Sequence, residues 1–412
     1  MRISTSQQQL QTVQAMLDQQ TRLARTQQQI ASGQRILTPS DDPTGARQKL
    51  DLGAAVATTT QYQRNADAVE ERLGAEGNAL QSTTALLQRV RELAVQGNND
   101  TLSDQDRQAI AVEVRQRLSE LVGIANTRDA NGEYLFGGYR STTQPFSLAA
   151  DGSVVYAGDQ GQRELQVGPD RRIAVGDSGD AVFLAVRNGN GMLTVAQGAN
   201  SGTGSADPAT LTDPSAWVPD QYTISFVTNA AGQLAYQVTG ATSGQVVPAP
   251  PAAVPAAAPA YTSGAAIGFQ GAQITISGTP APGDTFTVAP SGHQDIFATL
   301  TAFATALETP VATPAARAAL HNAMSGVLGN LDQALQHISV VNAAVGGRLN
   351  ALDSQRNTND DEKLRTQTLL SQVGDLDYAQ AITQLNQQQV ALSAAQQAYL
   401  RTQGLSLFDH MG

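Results

Sequence analysis

The sequence predicts a mainly α fold with a β-rich insert: a long heptad helical bundle built from both chain ends, carrying an outer β domain. Three observations predict it. Apolar residues recur at sevenfold spacing at both ends of the 412-residue chain. The middle changes to a two-residue alternation broken by Gly, Pro, Asp and Asn. Hydrophobic residues make up 41% of the chain and charged residues only 15%, and at the ends the missing charge is replaced by Gln, Ser, Thr and Asn. The length is enough for two to four structural units.

At the N-terminus, Leu10, Leu17, Ala24 and Ala31 stand seven apart beside Met16, Leu23 and Ile30, with Val13, Gln20 and Gln27 between them. This is a heptad seam with glutamine where apolar residues are expected. Ser40, Asp41, Asp42 and Pro43 signal the start of a second helix whose stripe runs through Val69, Leu73, Leu80, Leu87, Val90 and Ala94 to a stop at GNND. Ser103 and Asp106 make a capping box for a returning helix along Ile110, Val114, Leu118, Leu121 and Ala125.

The candidate strands of the middle are SVVYAG, RELQV, AVFLAV, YTISFV, LAYQV, AQITISG and DTFTVA. The Pro/Ala-rich run from Val247 to Ala260 reads as an extended, solvated loop. After Pro314 a third long helix follows from Leu331, Ile338, Val345 and Leu352 with Leu328, Leu335 and Leu349. A terminal helix places Tyr378, Leu385, Leu392 and Tyr399 seven apart, with Ile382, Gln389, Gln396 and Gln403 at the alternate positions.

Between Leu376 and Phe408 only Asp377 and Arg401 carry charge. A stripe this thin calls for partner helices, the alternative being an ordinary amphipathic helix on its own domain. The expected assembly seams are Leu10, Val13, Leu17, Gln20, Leu23, Gln27 and Ile30 at one end, and Tyr378, Ile382, Leu385, Gln389, Leu392, Gln396 and Tyr399 at the other. The expected division is a terminal leg from 1–40 and 365–412, a bundle from 41–135 and 294–364, and a β-rich outer domain over 136–293.

Composition excludes several chemistries. A net charge of -11 with two lysines, Lys49 and Lys363, leaves no basic stripe for a nucleic acid. The absence of cysteine removes disulfides, thiolate metal sites and thiol nucleophiles. The N-terminus lacks the apolar core of a secretory signal peptide, and no run of ~18 apolar residues predicts membrane insertion. His293, His321, His337 and His410 are scattered without metal-ligand spacing, and no nucleophile elbow or phosphate loop is present. The acidic groups Asp41–Asp42 and Asp360–Asp361–Glu362 read as helix-start residues rather than as a general acid and base. No enzyme activity, cofactor or metal is expected.

The segment IASGQRILTPSDDPTGA, from Ile30 to Ala46, resembles the flagellin signature, in which an SG pair, an Arg-Ile step and an Asp doublet lead into the second helix. Its matching residues are Ser32, Gly33, Arg35, Ile36, Asp41, Asp42 and Gly45. LQRVRELAVQ resembles the flagellin core helix, and the stretch from Asp375 to Phe408 is similar to the terminal helix of the family. Within that superfamily, NTRDANGEYLFGGYRSTTQPF, VYAGDQGQRELQV and the stretch from Ile267 to Leu300 resemble the outer domain of the hook–filament junction proteins. Between about Gly198 and Ala260 nothing familiar is recognisable.

The resemblance implies a structural, extracellular component of the bacterial flagellum, exported by the flagellar secretion apparatus without a cleaved signal. It implies terminal heptads that pair as one coiled-coil leg and order fully on assembly. The implied partners are identical subunits in a ring, the first hook-associated protein, flagellin and a cytoplasmic export chaperone. In flagellins the RELAVQ helix is recognised by immune receptors, and Arg89, Arg91, Glu92 and Leu93 occupy the matching positions. The alternatives are a filament flagellin and, more remotely, a secreted effector with a flagellin-type export signal.

Overall fold

A computed structural model describes residues 5–150 and 152–408; His410 and the side chain of Gln403 lie outside the described part. Six α-helices are present among these residues: α1 Thr5–Ser32, α2 Pro43–Gly97, α3 Asp104–Ala125, α4 Ile296–Glu308, α5 Pro314–Gly374 and α6 Tyr378–Phe408. The helices and the central strands give the mainly α architecture with a β-rich insert. The chain divides into two compact units, residues 1–65 with 167–169 and 354–412, and residues 66–166 with 170–353. The boundary falls inside α2 and α5.

In the larger unit, Val69, Leu73, Leu80, Leu87, Val90 and Ala94 of α2 are all fully buried, as are Val114 and Leu121 of α3 and Leu331, Ile338 and Leu352 of α5. Ion pairs link the helix surfaces, with Arg89 to Glu113 at 3.0 Å, Arg91 to Asp332 at 2.6 Å and Arg115 to Glu308 at 2.7 Å. Arg89 and Arg91 of the RELAVQ helix are therefore engaged within the unit, and Leu93 is buried. α3 begins as its sequence dictates, since Ser103 accepts from the Asp106 amide while the Asp106 carboxylate accepts from the Ser103 amide. α4 packs on α3, a separate short helix where only a general helical zone was expected.

Phe136 of the YLFGGY segment joins an aromatic cluster. Phe183 contacts the rings of Phe136, Phe146 and Phe297 at centroid distances of 5.1, 5.5 and 5.8 Å. Here the structure corrects one expectation: AVFLAV is not a strand but a π-helical turn, Asp180–Leu184, followed by a two-residue strand. Val182 and Phe183 are consecutive and both fully buried. A flat strand would send them to opposite faces, and the tight turn brings both into one core.

Beyond it, five antiparallel strands lie in the order Gly244–Val247, Leu234–Gly240, Tyr222–Thr228, Thr285–Pro290 and Leu193–Gln197. A smaller sheet orders Ala266–Phe269, Ala272–Ser277 and Ser205–Ala206. One core spans both sheets, with Tyr222, Ile224, Phe226, Ile276, Phe286 and Val288 all fully buried. The Pro/Ala-rich run is not simply solvated, a second correction. Its end lines the sheet, where Pro259 O accepts from the Tyr236 amide at 3.1 Å and Ala258 is buried. Gly244–Val247 covers only Val238–Gly240 of the neighbouring strand, so the first half of that strand keeps free N–H groups, and proline, which has no donor of its own, still supplies a carbonyl to them.

In the smaller unit, Asp360, Asp361 and Glu362 lie inside α5 rather than at a helix start, a third correction. The uninterrupted helix continues to Gly374, and Gln63 of α2 bonds Asp360 and accepts from Lys363 at 3.2 Å.

The aromatic cluster generates a stability prediction. Phe183→Ala should cost about 3–5 kcal/mol in denaturant unfolding, because it removes a fully buried ring. Leu364→Ala, at a 65% exposed position, should change stability by less than about 0.5 kcal/mol. Equal effects of the two would contradict the burial pattern.

Candidate assembly site

The smaller unit holds two features built from the chain ends, a polar clamp and a two-helix seam. The clamp arises where the turn between α1 and α2 meets the turn between α5 and α6. α1 stops at Gly33, whose φ of +69° suits glycine. An added Cβ there would lie 2.9 Å from the Tyr378 hydroxyl. Gln34 then forms an antiparallel bridge with Asp375, and the Leu376 amide donates to Gly33 O at 3.0 Å.

Arg35 reaches the exposed carbonyls at the end of α5. Its backbone N–H donates to Gly374 O at 2.9 Å, and its guanidinium donates to Val373 O at 2.8 Å and to Asp42 Oδ2 at 3.2 Å. A cation at a helix C-terminus also complements the helix dipole. Asp42 caps α2, its Oδ1 accepting from the Gly45 amide at 2.8 Å. That amide bond and the Arg35 guanidinium hold the Asp42 carboxyl below its ordinary range.

Asp41 folds the turn by accepting from the amides of Leu37 and Thr38 at 3.1 and 3.0 Å, and it pairs with Arg25. Ile36 is buried against Gly45, where a Cβ would sit 2.7 Å from the Ile36 side chain. Ser32 Oγ accepts from the Gln34 amide at 3.3 Å. All seven signature residues thus lie in this one connection between the chain ends.

From the clamp, α1 and α6 run antiparallel and in contact, with the Gln19 side chain donating to Gln388 O at 3.3 Å. On α1 the covered positions are Thr12, Met16, Gln19, Leu23, Thr26 and Ile30, and on α6 they are Ala381, Leu385, Gln388, Leu392, Ala395 and Tyr399. Both sets alternate steps of four and three, the spacing of a heptad seam.

Of the residues expected to form assembly seams, the structure therefore puts Leu23, Ile30, Leu385, Leu392 and Tyr399 inside the helix pair. Leu10, Val13, Leu17, Gln20 and Gln27 of α1 remain exposed, as do Tyr378, Ile382, Gln389 and Gln396 of α6. Leu10 is 67% exposed, Leu17 56% and Ile382 49%. Each helix carries one stripe used within the chain and a second, offset stripe facing solvent. Periodicity alone did not separate them, because Thr12, Gln19, Thr26 and Gln388 of the inner seam are polar.

Among the described residues no three His, Asp or Glu are grouped to hold a metal, and no helix is long and apolar enough to cross a membrane. His321 lies between Asn98 and Asp100 at 2.7 and 2.8 Å, and His337 contacts Ala181 O at 2.8 Å, both ties within the larger unit.

The clamp generates a second prediction. Gly33→Ala places a Cβ in the left-handed region beside the Tyr378 hydroxyl, at a cost of roughly 1–2 kcal/mol. Hydrogen exchange at the Arg35 and Leu376 amides should accelerate about 5- to 30-fold. Because the folded state lowers the Asp42 carboxyl, its contribution is present above the ordinary value of 3.8 and is lost as pH falls through the folded value. The same amides should therefore open in acid. Unchanged exchange in the variant would contradict the clamp.

Residues 3–141 match the bacterial flagellin N-terminal helical region. Flagellar hook-associated protein 3 of Escherichia coli K12 is 32% identical over 186 residues, 45% of this chain and 58% of that protein. The chain thus spans little more than half the length of this curated relative. The crystal structure of flagellar hook-associated protein 3 from Legionella pneumophila superposes with a TM-score of 0.74 at 35% identity, covering 78% of this chain and 98% of that one. Xanthomonas campestris FlgL gives 0.69 at 31%, covering 78% and 99%. By these likenesses the chain belongs to the flagellar hook-associated protein 3 family, within the flagellin superfamily.

Proposed function

We propose that this protein is a structural component of the flagellum at the joint between hook and filament, where identical subunits form a ring on the first hook-associated protein and present the surface on which flagellin begins to polymerise. The observation that carries this reading is the second, solvent-facing heptad stripe on each helix of the terminal pair. Leu10, Val13 and Leu17 with Ile382 expose apolar side chains at heptad spacing on helices whose other stripe is already occupied. A coiled-coil seam of this kind is filled by further helices, and in a ring those come from neighbouring subunits or from the proteins above and below.

Each partner meets a different part of the same device. Before export, a cytoplasmic chaperone covers the exposed heptads of α6, which would otherwise self-associate. After export, the α1–α6 pair inserts among like pairs and the glutamines of the stripe bond to one another across subunits. The larger unit has its own core and supplies bulk. Its role is mechanical and needs no catalytic group.

Leu10→Asp with Leu17→Asp tests this reading. Both positions are exposed in the single chain, so thermal unfolding of the purified protein should match the parent. In cells the two carboxylates would be buried in a subunit interface without partners, at several kcal/mol each, so filaments should not grow and flagellin should leak into the medium. Leu385→Asp with Leu392→Asp should instead open the α1–α6 pair in the isolated chain and also abolish filaments. Normal filaments in the first variant would sink the proposal that its stripe is an assembly seam.

A further inference from the structure

The buried stripe of α2 contains a group that a helical core does not need. Val69, Leu73, Glu76, Leu80, Thr83, Leu87, Val90 and Ala94 follow steps of four and three, so Glu76 occupies a core position of the heptad. It is only 1% exposed. Its Oε1 accepts one hydrogen bond, from the Asp177 amide at 3.1 Å, and its Oε2 accepts none. A Cβ added at Gly176 would stand 3.4 Å from that Oε2, so the segment Val175–Ser178 passes directly over the carboxyl.

The charges around Glu76 are already matched to other groups. From the strap, the Asp177 carboxylate faces Glu76, but it is held by Arg348 of α5 through two bonds at 3.0 and 2.8 Å and by the Gln162 side chain at 2.7 Å. On α2 itself, Arg72 is paired with Asp129 and Glu133 and donates to Tyr134 O at 2.9 Å. Arg163 in turn holds Glu133 at 2.6 Å. Arg348 and Arg72 both attract Glu76, but neither is paired with it, and the pull of Arg348 is outweighed by the repulsion of the Asp177 carboxylate. A buried anion with one hydrogen bond and a like charge beside it is strongly disfavoured.

We propose that Glu76 is a proton-operated latch: as a neutral acid it lets the Val175–Ser178 strap close over α2, and loss of its proton sets two carboxylates against each other and loosens the strap. Burial, then the Asp177 carboxylate, pushes the Glu76 carboxyl up to about 8. The folded value thus lies above the ordinary 4.5, so folding takes up a proton between the two values. The latch is fully closed below the lower value, and its contribution declines as pH rises and is gone above the folded value.

The device is tested on the full chain by comparing the wild type with Glu76→Gln, a neutral side chain of the same shape. At pH 4, below the ordinary value, the two should melt together. At pH 9 the variant should melt at the higher temperature, and wild-type folding should take up about one more proton than the variant across that interval. Carbon-13 labelling of glutamate carboxyls gives a reading that does not depend on the variant folding, and one carboxyl in the wild type should titrate near pH 8. Exchange of the Asp177 amide, corrected for intrinsic base catalysis, should accelerate across the same midpoint in the wild type and stay flat in Glu76→Gln. A variant that melts below the wild type at pH 9, no carboxyl titrating above pH 6, or flat Asp177 exchange in the wild type would each overturn the latch.

Discussion

A helix whose heptads are spaced with glutamine and threonine can dry only one narrow seam against one partner, and this constraint governs the ends of the chain. α1 and α6 each carry two offset stripes, and a pair of helices covers only one stripe of each. Met16, Leu23, Ile30, Leu385 and Leu392 close the inner seam, while Leu10, Leu17 and Ile382 are left outward. The amide-rich surface suits that incompleteness. Glutamine tolerates water in the single chain and bonds to other glutamines when helices crowd together, whereas a row of like charges would repel its own copies.

The clamp at Gly33 to Gly45 makes the two-helix pair possible by fixing where each chain end begins. Arg35 satisfies the last carbonyls of α5, Asp42 caps the first amides of α2, and Gly33 passes under Tyr378 where no side chain fits. Each residue type of the signature answers a separate demand here: a left-handed turn, a fork of donors, a cap and a close approach. The larger unit obeys another logic, with an ordinary apolar core and a buried acid, Glu76, at a core position of α2. Its buried residues are supplied by its own helices and strands.

Most of the helical plan could be read in the residues. The Ser103–Asp106 box, the Asp42–Pro43 start and the α2 and α5 stripes are local signals, and local hydrogen bonds and burial answer them. The failures came where local pattern underdetermines structure. AVFLAV has no alternation to distinguish a strand from a tight turn, and the aromatic cluster around Phe183 decided in favour of the turn. The Pro/Ala-rich run has no periodicity, yet a sheet edge needing acceptors took its end. Which terminal stripe faces inward was hidden because Thr12, Gln19 and Thr26 do not register as apolar. Glu76 was visible in principle, since it interrupts a stripe of Val and Leu at a core position, but its consequence required the strap that only the fold brings to it.

If the terminal helix pair is an unfinished coiled coil, helices of other subunits complete it. Hydrogen exchange of the α1 and α6 amides, measured in the isolated chain and again in the assembled flagellum, tests it most directly. Both helices should be weakly protected in the isolated chain and strongly protected on assembly, with little change in the α2 and α3 amides of the larger unit. Equal protection of α1 and α6 in the two states would contradict it.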